Sequence, residues 1–346
     1  MTSTAGTITG SATPLAELLR RRGALVVLAV VLAAGGLAFD TFLTTENLGF
    51  LSLQAAFPAL VALGMTFVII SGGIDLSVGS VFALGGVLAA YASRWGPLPA
   101  LALPLATGAV IGAVHGLLIT RWRLAPFIAT LAGLLFARGL LLFLTDEGGR
   151  TYLVPPGSVF LWLGQGRLLG IGMPTWIALA SFLLGGLVLG RTRFGQRLFA
   201  IGGSESAAAL MGLPVARTKL AVYTLSGVLA ALAGTLAAAQ AASGVTIVGV
   251  GAELDAIAAV VIGGTLLTGG SGSALGTAAG VALLAALQNL INRIPNLDNS
   301  SVQTVVSGAF LIAVIVAQTL LARTAPARGI SRVRAGAVSS RGGVSR

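Results

Sequence analysis

Long apolar runs separated by short polar stretches dominate this chain from about residue 20 to residue 322. An α-helix needs about 20 apolar residues to cross the hydrocarbon layer of a membrane. The pattern therefore predicts an all-α polytopic membrane protein with about ten transmembrane helices, within a range of about eight to eleven. The predicted spans are residues 23–40, 48–70, 76–93, 99–120, 126–145, 173–190, 217–240, 256–270, 273–292 and 302–322.

The basic residues orient these spans. If the N-terminus lies in the cytoplasm and the spans alternate, most of the 21 lysines and arginines fall on the cytoplasmic side, as the positive-inside rule requires. Both termini are therefore predicted to be cytoplasmic. The chain divides into a cytoplasmic segment 1–19, a transmembrane domain 20–322 and a basic, disordered tail 323–346. Residues 20–39 share features with a signal peptide, but the long polar segment before them favours a retained first span.

Composition narrows the chemistry. The 346 residues are 56% hydrophobic and only 9% charged, whereas soluble domains carry about 25% charged residues. The chain has no cysteine and a single histidine, His115, which excludes disulfides and a zinc site of the usual His/Cys type. The net charge of +11 does not indicate nucleic-acid binding, because the arginines lie between apolar spans rather than on one soluble face.

The sequence contains no nucleotide site. A P-loop requires G-x-x-x-x-G-K-[ST], but the single lysine, Lys219, stands in RTKLAVY without those glycines. We therefore predict that the chain is not an enzyme and holds no cofactor, so that any ATP and magnesium would be bound by a partner ATPase. The alternative is a self-sufficient secondary carrier or channel. Asp75 is the only acid deep within the apolar runs, which disfavours an ion-coupled carrier.

The stretch GMTFVIISGGIDLSVGS interrupts an apolar run with a polar, glycine-containing element. Glycines break helices or allow close backbone approach, and non-helical backbone at membrane depth is buried in protein or lines a cavity. One interpretation is a discontinuous element on a translocation path. The other is a tight turn at the membrane surface with a solvated carboxylate. The residues concerned are Ser71, Gly72, Gly73, Asp75 and Ser77.

A second stretch, IGGTLLTGGSGSALG, has the same pattern of a glycine-containing interruption in an apolar run. Thr268, Gly269 and Gly270 precede Gly276 at the spacing at which Ser71, Gly72 and Gly73 precede Gly79. Glycine-interrupted spans in both halves of a transporter point to a binding site and an internal repeat. Chance similarity of two glycine-rich stretches is the alternative.

The polar segment Arg191–Lys219 contains a predicted short helix from Glu205 to Met211. Ser204 is a suitable N-cap, and Gly212 is a natural stop. Ala207, Leu210 and Met211 share one face at helical spacing. So short a helix needs a surface to dock on, which is either its own membrane domain or a groove on a cytosolic partner.

The longest external loop, Asp146–Gly172, contains Pro155-Pro156, Trp162 and several glycines. Loops of this length are often functional. It could receive a substrate-delivering protein or form an interfacial aromatic lid.

Several motifs together resemble one transporter family. They are GMTFVIISGGIDLSVGS, LAPFIATLAGLLFARG, RTRFGQRLFAIGGSESAAALMGLPV, YTLSGVLAALAGTL and GVGAELDAIAAVVIGGTLLTGGSGSALGT, which occur in order between about residues 45 and 322. They are similar to the permeases of ribose-, xylose-, arabinose- and galactoside-type ATP-binding-cassette importers. FIATLAGLLFARG and GVGAELDAIAAVVIGGTLLTGG most resemble a galactofuranose importer permease.

The resemblance implies a permease subunit of the bacterial inner membrane that imports a monosaccharide by alternating access. It implies as partners cytosolic ATPase subunits, a second permease subunit of the same or a sister chain, and a periplasmic or lipid-anchored sugar-binding protein. Membrane lipid surrounds the chain. The implied coupling helix covers Gly203, Ser204, Glu205, Ala207, Leu210, Met211, Gly212 and Leu213, and the implied docking residues for the binding protein are Asp146, Glu147, Glu253 and Asp255.

A neutral sugar requires hydrogen-bonding partners rather than charges. Gln54, Gln240, Gln288 and Asn289 are therefore candidates for the path, although such residues often form hydrogen bonds between membrane helices instead. His115 lies in GAVHGLLI, and we interpret it as a packing residue.

Overall fold

The computed structural model of the chain describes residues 14–294 and the isolated residues 305, 308, 309, 312 and 316. Apart from those isolated positions, the predicted span 302–322, the tail 323–346 and the first 13 residues lie outside the described residues. The described part is a helical bundle with one small hairpin, in which β1 (Arg167–Leu168) pairs with β2 (Ile171–Gly172). The helices are α1 (Pro14–Ala38), α2 (Thr45–Ile70), α3 (Val78–Ala92), α4 (Pro97–Arg121), α5 (Pro126–Leu144), α6 (Trp162–Gln165), α7 (Met173–Arg191), α8 (Arg193–Gly203), α9 (Glu205–Leu210), α10 (Val215–Ala241), α11 (Ala252–Ile262) and α12 (Ala274–Ile291). Two 3₁₀ turns cover Ser93–Trp95 and Val159–Leu161.

Six of the described helices are long and apolar enough to cross a membrane, namely α2, α4, α5, α7, α10 and α12. Each coincides with a predicted span. Helices α1 and α3 also coincide with predicted spans, although α3 has only 15 residues. The mostly helical membrane fold is thus confirmed, and the number of ten crossings stays a prediction.

The bounds predicted for the span 256–270 are wrong. Helix α11 has 11 residues and ends at Ile262. Gly263 and Gly264 follow, and Gly264 has a φ of +89°, which no right-handed helix can continue. The chain then runs through residues 265–273 without a helix before α12 begins. This region is a half-helix followed by a loop, which a hydropathy pattern alone does not distinguish from a span.

Helix α10 lies at the centre of the bundle and packs against α2, α3 and α4. Glycines on the neighbouring helices face its backbone. A Cβ added at Gly85 of α3 would lie 2.8 Å from the carbonyl oxygen of Ala231, and one at Gly116 of α4 would lie 2.7 Å from Cα of Leu220. Such small residues allow membrane helices to approach closely, where van der Waals packing drives association.

The replacement Gly85→Ala should destabilise the bundle, because its methyl group would collide with the backbone of α10. Overpacking of this kind costs about 1–3 kcal/mol. Gly139→Ala on α5 is the matched control, since a Cβ there meets no atom within 4 Å. The midpoint temperature of unfolding in detergent should fall for Gly85→Ala alone. It is measured as the loss of the monodisperse chromatographic peak. Equal midpoints for the two variants would contradict this account of the packing.

Candidate functional site

The glycine-containing element after α2 is a break inside the bundle. Helix α2 ends at Ile70 and α3 begins at Val78, and residues 73–75 between them have no regular secondary structure. Gly73 lies against the side chain of Tyr223, where a Cβ would overlap the phenolic oxygen. The Tyr223 hydroxyl is also 3.4 Å from the carbonyl oxygen of Ile74, to which it donates a hydrogen bond. The interrupted backbone is therefore covered by α10.

Asp75 is fully buried at this break. Its Oδ1 accepts hydrogen bonds from the backbone nitrogen of Ser77 at 3.0 Å and from the Ser77 hydroxyl at 2.6 Å. Its Oδ2 accepts a hydrogen bond from the hydroxyl of Ser226 at 2.8 Å. Ser226 packs against Gly64 of α2, where a Cβ would lie 3.0 Å from its Cα.

The contact between Ser226 and Gly64 sets the depth of Asp75. Gly64 precedes the end of α2 by six residues, or about 9 Å of helix at 1.5 Å per residue. The carboxylate thus lies well inside the bundle rather than at its end. Of the two interpretations that the sequence leaves open, the geometry favours the discontinuous element and contradicts a solvated Asp75.

His115 lies beside this cluster and has a packing position. The distance from its Nδ1 to the Ser77 hydroxyl is 3.5 Å, at the long limit for a hydrogen bond. The other side of the ring lies against Gly133 of α5, where a Cβ would overlap Nε2. The side chain is buried, as expected of a packing residue.

The second glycine element meets the first one. The backbone nitrogen of Gly270 donates a hydrogen bond to the carbonyl oxygen of Ile70 at 2.9 Å. Gly72 and Gly269, which occupy matching positions in the two motifs, both have positive φ, at +79° and +85°. A Cβ on Gly269 would lie 2.9 Å from Cα of Gly72. The structure therefore brings the two predicted elements together, and the internal repeat itself stays a prediction.

A cleft of about 300 Å³ opens between α2, α11 and α12. Gln54 and Gln288 are exposed and make no side-chain hydrogen bond to any described residue. Asn289 is more engaged, because its carboxamide exchanges hydrogen bonds of 3.1 and 3.2 Å with that of Asn47. The polar residues that line the cleft are Gln54, Asp255, Gln288, Asn289 and Asn292.

Not every predicted path residue lines this cleft. Gln240 lies near the end of α10, where Gly164 of α6 packs against its backbone and the side chain of Gln165 donates to its carbonyl oxygen at 3.2 Å. Its own side-chain oxygen is buried without a hydrogen-bond partner among the described residues. The residues of the two glycine elements are also absent from the cleft lining. They lie beyond the ends of its walls, because α2 ends at Ile70 and α11 ends before residues 263–273.

The four acids predicted to dock a binding protein occupy three different environments. Asp146 and Glu147 follow the end of α5. Glu253 instead faces the first turn of α3, where a Cβ on Gly79 would overlap its carboxylate. Asp255 lines the cleft. The docking role of these acids stays a prediction.

The path of residues 242–251 after α10 determines where Glu253 and Asp255 lie. Gly244 packs against Val87, and Gly249 packs against Gly79. These two positions on α3 are eight residues, or about 12 Å, apart. The segment therefore returns into the bundle along α3, so that α11 begins inside it. The run SGVTIVGVG is the sequence signal that could have indicated this return.

Arg138 of α5 holds that returning segment. Its guanidinium donates hydrogen bonds to the carbonyl oxygen of Thr246 at 2.9 Å and to that of Val248 at 3.3 and 3.4 Å. Carbonyl groups of non-helical backbone need such donors at membrane depth. An arginine inside a predicted span was the available signal, but its partners are more than 100 residues away in the sequence.

The segment Arg191–Lys219 folds into the amphipathic helix α8 and the predicted short helix, α9. Ser204 caps α9 by accepting a hydrogen bond from the backbone nitrogen of Ala207 at 3.3 Å. The backbone nitrogen of Leu213 donates to the carbonyl oxygen of Ala208 at 3.0 Å, and that of Gly212 donates to Ala209 at 3.0 Å, which is a Schellman ending. The predicted cap and stop are therefore both present.

The apolar face of α9 points away from the bundle. Leu210 is 90% exposed and Met211 is 69% exposed, and only Ala208 of the helix is buried. Glu205 forms an ion pair with Lys219, whose side chain is only 8% exposed. The helix is thus anchored to α10 by its polar side, and its apolar residues are left open.

Comparison with known proteins agrees with this architecture. The family model described as "Branched-chain amino acid transport system / permease component" matches residues 47–315. Ribose import permease protein RbsC of Escherichia coli (strain K12) is 41% identical over 277 residues, which cover 79% of this chain and 86% of that protein. Inner membrane ABC transporter permease protein YjfF of the same strain is 43% identical over 266 residues, covering 73% and 78%.

L-arabinose ABC transporter permease protein AraH of Azospirillum brasilense is 34% identical over 304 residues, covering 87% of this chain and 88% of the relative. These proteins are subunits of transporters rather than enzymes with their own ATPase site. The match of the family model extends over more than half of the chain and includes both glycine elements, the cleft and α9. The chain therefore belongs to the family of membrane transport permease components that this model defines.

Proposed function

We propose that this chain is the membrane-spanning permease subunit of an ATP-binding-cassette importer of the bacterial inner membrane and that it moves a monosaccharide into the cytoplasm by alternating access. The similarity to ribose and arabinose permeases over more than three quarters of the chain carries this proposal. A ribose-like pentose or a related hexose is the expected cargo. The sequence resemblance to a galactofuranose permease remains a prediction within that class.

The chemistry of the cleft supports a neutral, polyhydroxylated substrate. Carboxamides of Gln54 and Gln288 can each donate and accept hydrogen bonds, and the carboxylate of Asp255 accepts them from hydroxyl groups. No arginine or lysine is among the described residues that line the cleft. The carboxylate of an amino acid, the other cargo that the family description names, would face Asp255, and the guanidinium of Arg293 next to the cleft is already hydrogen-bonded to Asn289 and Thr41.

The energy for transport would come from a partner ATPase that binds ATP and magnesium. The exposed apolar side chains of Leu210 and Met211 would enter a groove on that ATPase, in the manner of a helix-in-groove contact. Residues Gly203–Leu213 would form the coupling helix. Under this proposal, the end of the bundle that carries α8 and α9 lies in the cytoplasm, as do both termini of a ten-span chain.

The opposite end of the bundle would face the sugar-binding protein. Asp146 and Glu147 precede the loop that carries α6 and the β-hairpin, and with Glu253 and Asp255 they remain the docking candidates. A second permease subunit, identical or a sister chain, would complete the pore. A self-sufficient carrier is the rival, and reconstitution without the ATPase separates the two because only a carrier would then transport sugar.

The absence of cysteine from the chain permits a direct test of the cleft, because a single introduced cysteine has no background. Cysteine at Gln54 or Gln288 should react with a membrane-impermeant hydrophilic thiol reagent in native membranes, since a translocation path is hydrated. Leu183→Cys is the control: this α7 side chain is 67% exposed, but lipid or another chain would cover it. Labelling measured by mass shift should be at least about tenfold faster in the cleft than at Leu183. Similar rates at all three positions would exclude a hydrated path there.

The replacement Leu210→Glu should reduce binding of the ATPase, because it puts a charge into an apolar groove. Central apolar contacts of an interface contribute about 2 kcal/mol or more, so the ATPase retained on the purified permease should fall by at least about tenfold. Val159→Glu is the matched control, since Val159 is 71% exposed at the opposite end of the bundle. Equal ATPase retention by Leu210→Glu and Val159→Glu would refute the assignment of α9.

A further inference from the structure

Three backbone segments that are far apart in the sequence meet at one point of the bundle. They are the turn after α2 at Gly72, the end of α8 at Gly202 and Gly203, and the turn at Gly269 and Gly270. We name this meeting point the glycine junction. It lies one residue before the N-cap of α9, since Gly203 is followed by Ser204.

The contacts at the glycine junction join backbone directly to backbone. A Cβ on Gly270 would lie 2.8 Å from the nitrogen and 2.9 Å from Cα of Gly203, and one on Gly269 would lie 2.9 Å from the carbonyl oxygen of Gly202. A hydrogen bond of 2.9 Å from the backbone nitrogen of Gly270 to the carbonyl oxygen of Ile70 joins the third segment to the end of α2. No side chain can rotate to absorb a displacement here, because packed backbone is rigid compared with a flexible side chain.

The glycine junction is connected to every wall of the cleft. Helix α2, which carries Gln54, ends at Ile70 within it. The loop 263–273 joins α11, which carries Asp255, to α12, which carries Gln288, and the junction residues Gly269 and Gly270 belong to this loop. A displacement of α8 and α9 would therefore reach α2, α11 and α12 through a single point.

We infer that Gly202 is a positioning residue for transport. Because it has no side chain, the backbone at the end of α8 is in direct contact with the turns after α2 and before α12. Movement of α9 is thereby passed to the cleft. This inference rests on the proposed function of α9 as the coupling helix. It assigns the transmission step to the glycine junction rather than to side-chain contacts of α9 with the bundle.

Two glycines at equivalent helix positions provide the test. A Cβ on Gly202 would overlap the carbonyl oxygen of Ile70 and would lie 2.5 Å from the nitrogen of Gly270, whereas a Cβ on Gly190 meets no atom within 4 Å. Each is the penultimate residue of its helix, Gly202 in α8 and Gly190 in α7, and alanine is a better helix former than glycine at both positions. The variants Gly202→Ala and Gly190→Ala thus differ in their effect on the junction and not in helix propensity.

The complete importer, with its ATPase and sugar-binding protein, is reconstituted in vesicles with each variant. Sugar uptake and ATP hydrolysis are measured per assembled complex. For Gly202→Ala we expect normal ATPase retention and continued hydrolysis, with sugar moved per ATP about tenfold lower, the size of a typical coupling free energy. Gly190→Ala should match the native chain. A purely structural role would lower the amount of complex but not this ratio.

A Gly202→Ala complex with native sugar-to-ATP ratio overturns the inference. If that variant does not assemble, Gly272→Ala decides, because its Cβ would press on the flexible side chains of Ile70 and Thr265 at 2.9 and 2.6 Å rather than on backbone. It should lower the ratio in the same direction, and an unchanged ratio overturns the inference. Failure of the proposed function is distinguishable, since the native chain would then bind no ATPase or would transport without ATP.

Discussion

The requirement to satisfy and cover non-helical backbone inside a membrane determines the architecture of this protein. The described chain leaves the helical conformation within the bundle at residues 71–77, 242–251 and 263–273. Each break is possible because protein groups replace the missing water. Tyr223 and the serines around Asp75 cover the first, Arg138 binds the carbonyls of the second, and the hydrogen bond from Gly270 to Ile70 joins the third to the first.

The same constraint explains the use of glycine. Close contact between two interrupted segments leaves no room for a Cβ at Gly269, and both Gly72 and Gly269 have a positive φ. Central packing follows a related rule, because α10 can touch three helices only where residues such as Gly85 and Gly116 bring backbones together. Glycine therefore fulfils two separate roles, in turns and in helix contacts, which one sequence pattern does not distinguish.

The local features of the fold were predictable from sequence, and the long-range ones were not. Ser204 and Gly212 bound α9 as predicted, because capping depends on neighbouring residues alone. The long spans α5 and α7 were placed within a residue or two by their apolar length. The grouping of Asp255 with Gln54 and Gln288, and the exclusion of Gln240, depend on the return of residues 242–251 into the bundle. No hydropathy rule predicts that return, since the segment is apolar enough to pass for the edge of a span.

Polar pairs between the helices hold two walls of the cleft together. Helices α2 and α12 are joined at one level by the hydroxyls of Thr66 and Thr277, both fully buried and 2.7 Å apart. They are joined again by the carboxamides of Asn47 and Asn289, about 28 Å away along α2. Two ties at that separation fix these helices relative to each other.

Helix α11 is bounded by breaks at both ends, but glycines of α12 fix its position. A Cβ on Gly280 would overlap the carbonyl oxygen of Ala259, and one on Gly276 would overlap that of Gly263. Such contacts between backbones leave no flexible side chain to absorb a displacement. The three walls of the cleft are therefore held together, by polar pairs between α2 and α12 and by backbone packing between α11 and α12, so that the position of Asp255 depends on the same use of glycine as the rest of the bundle.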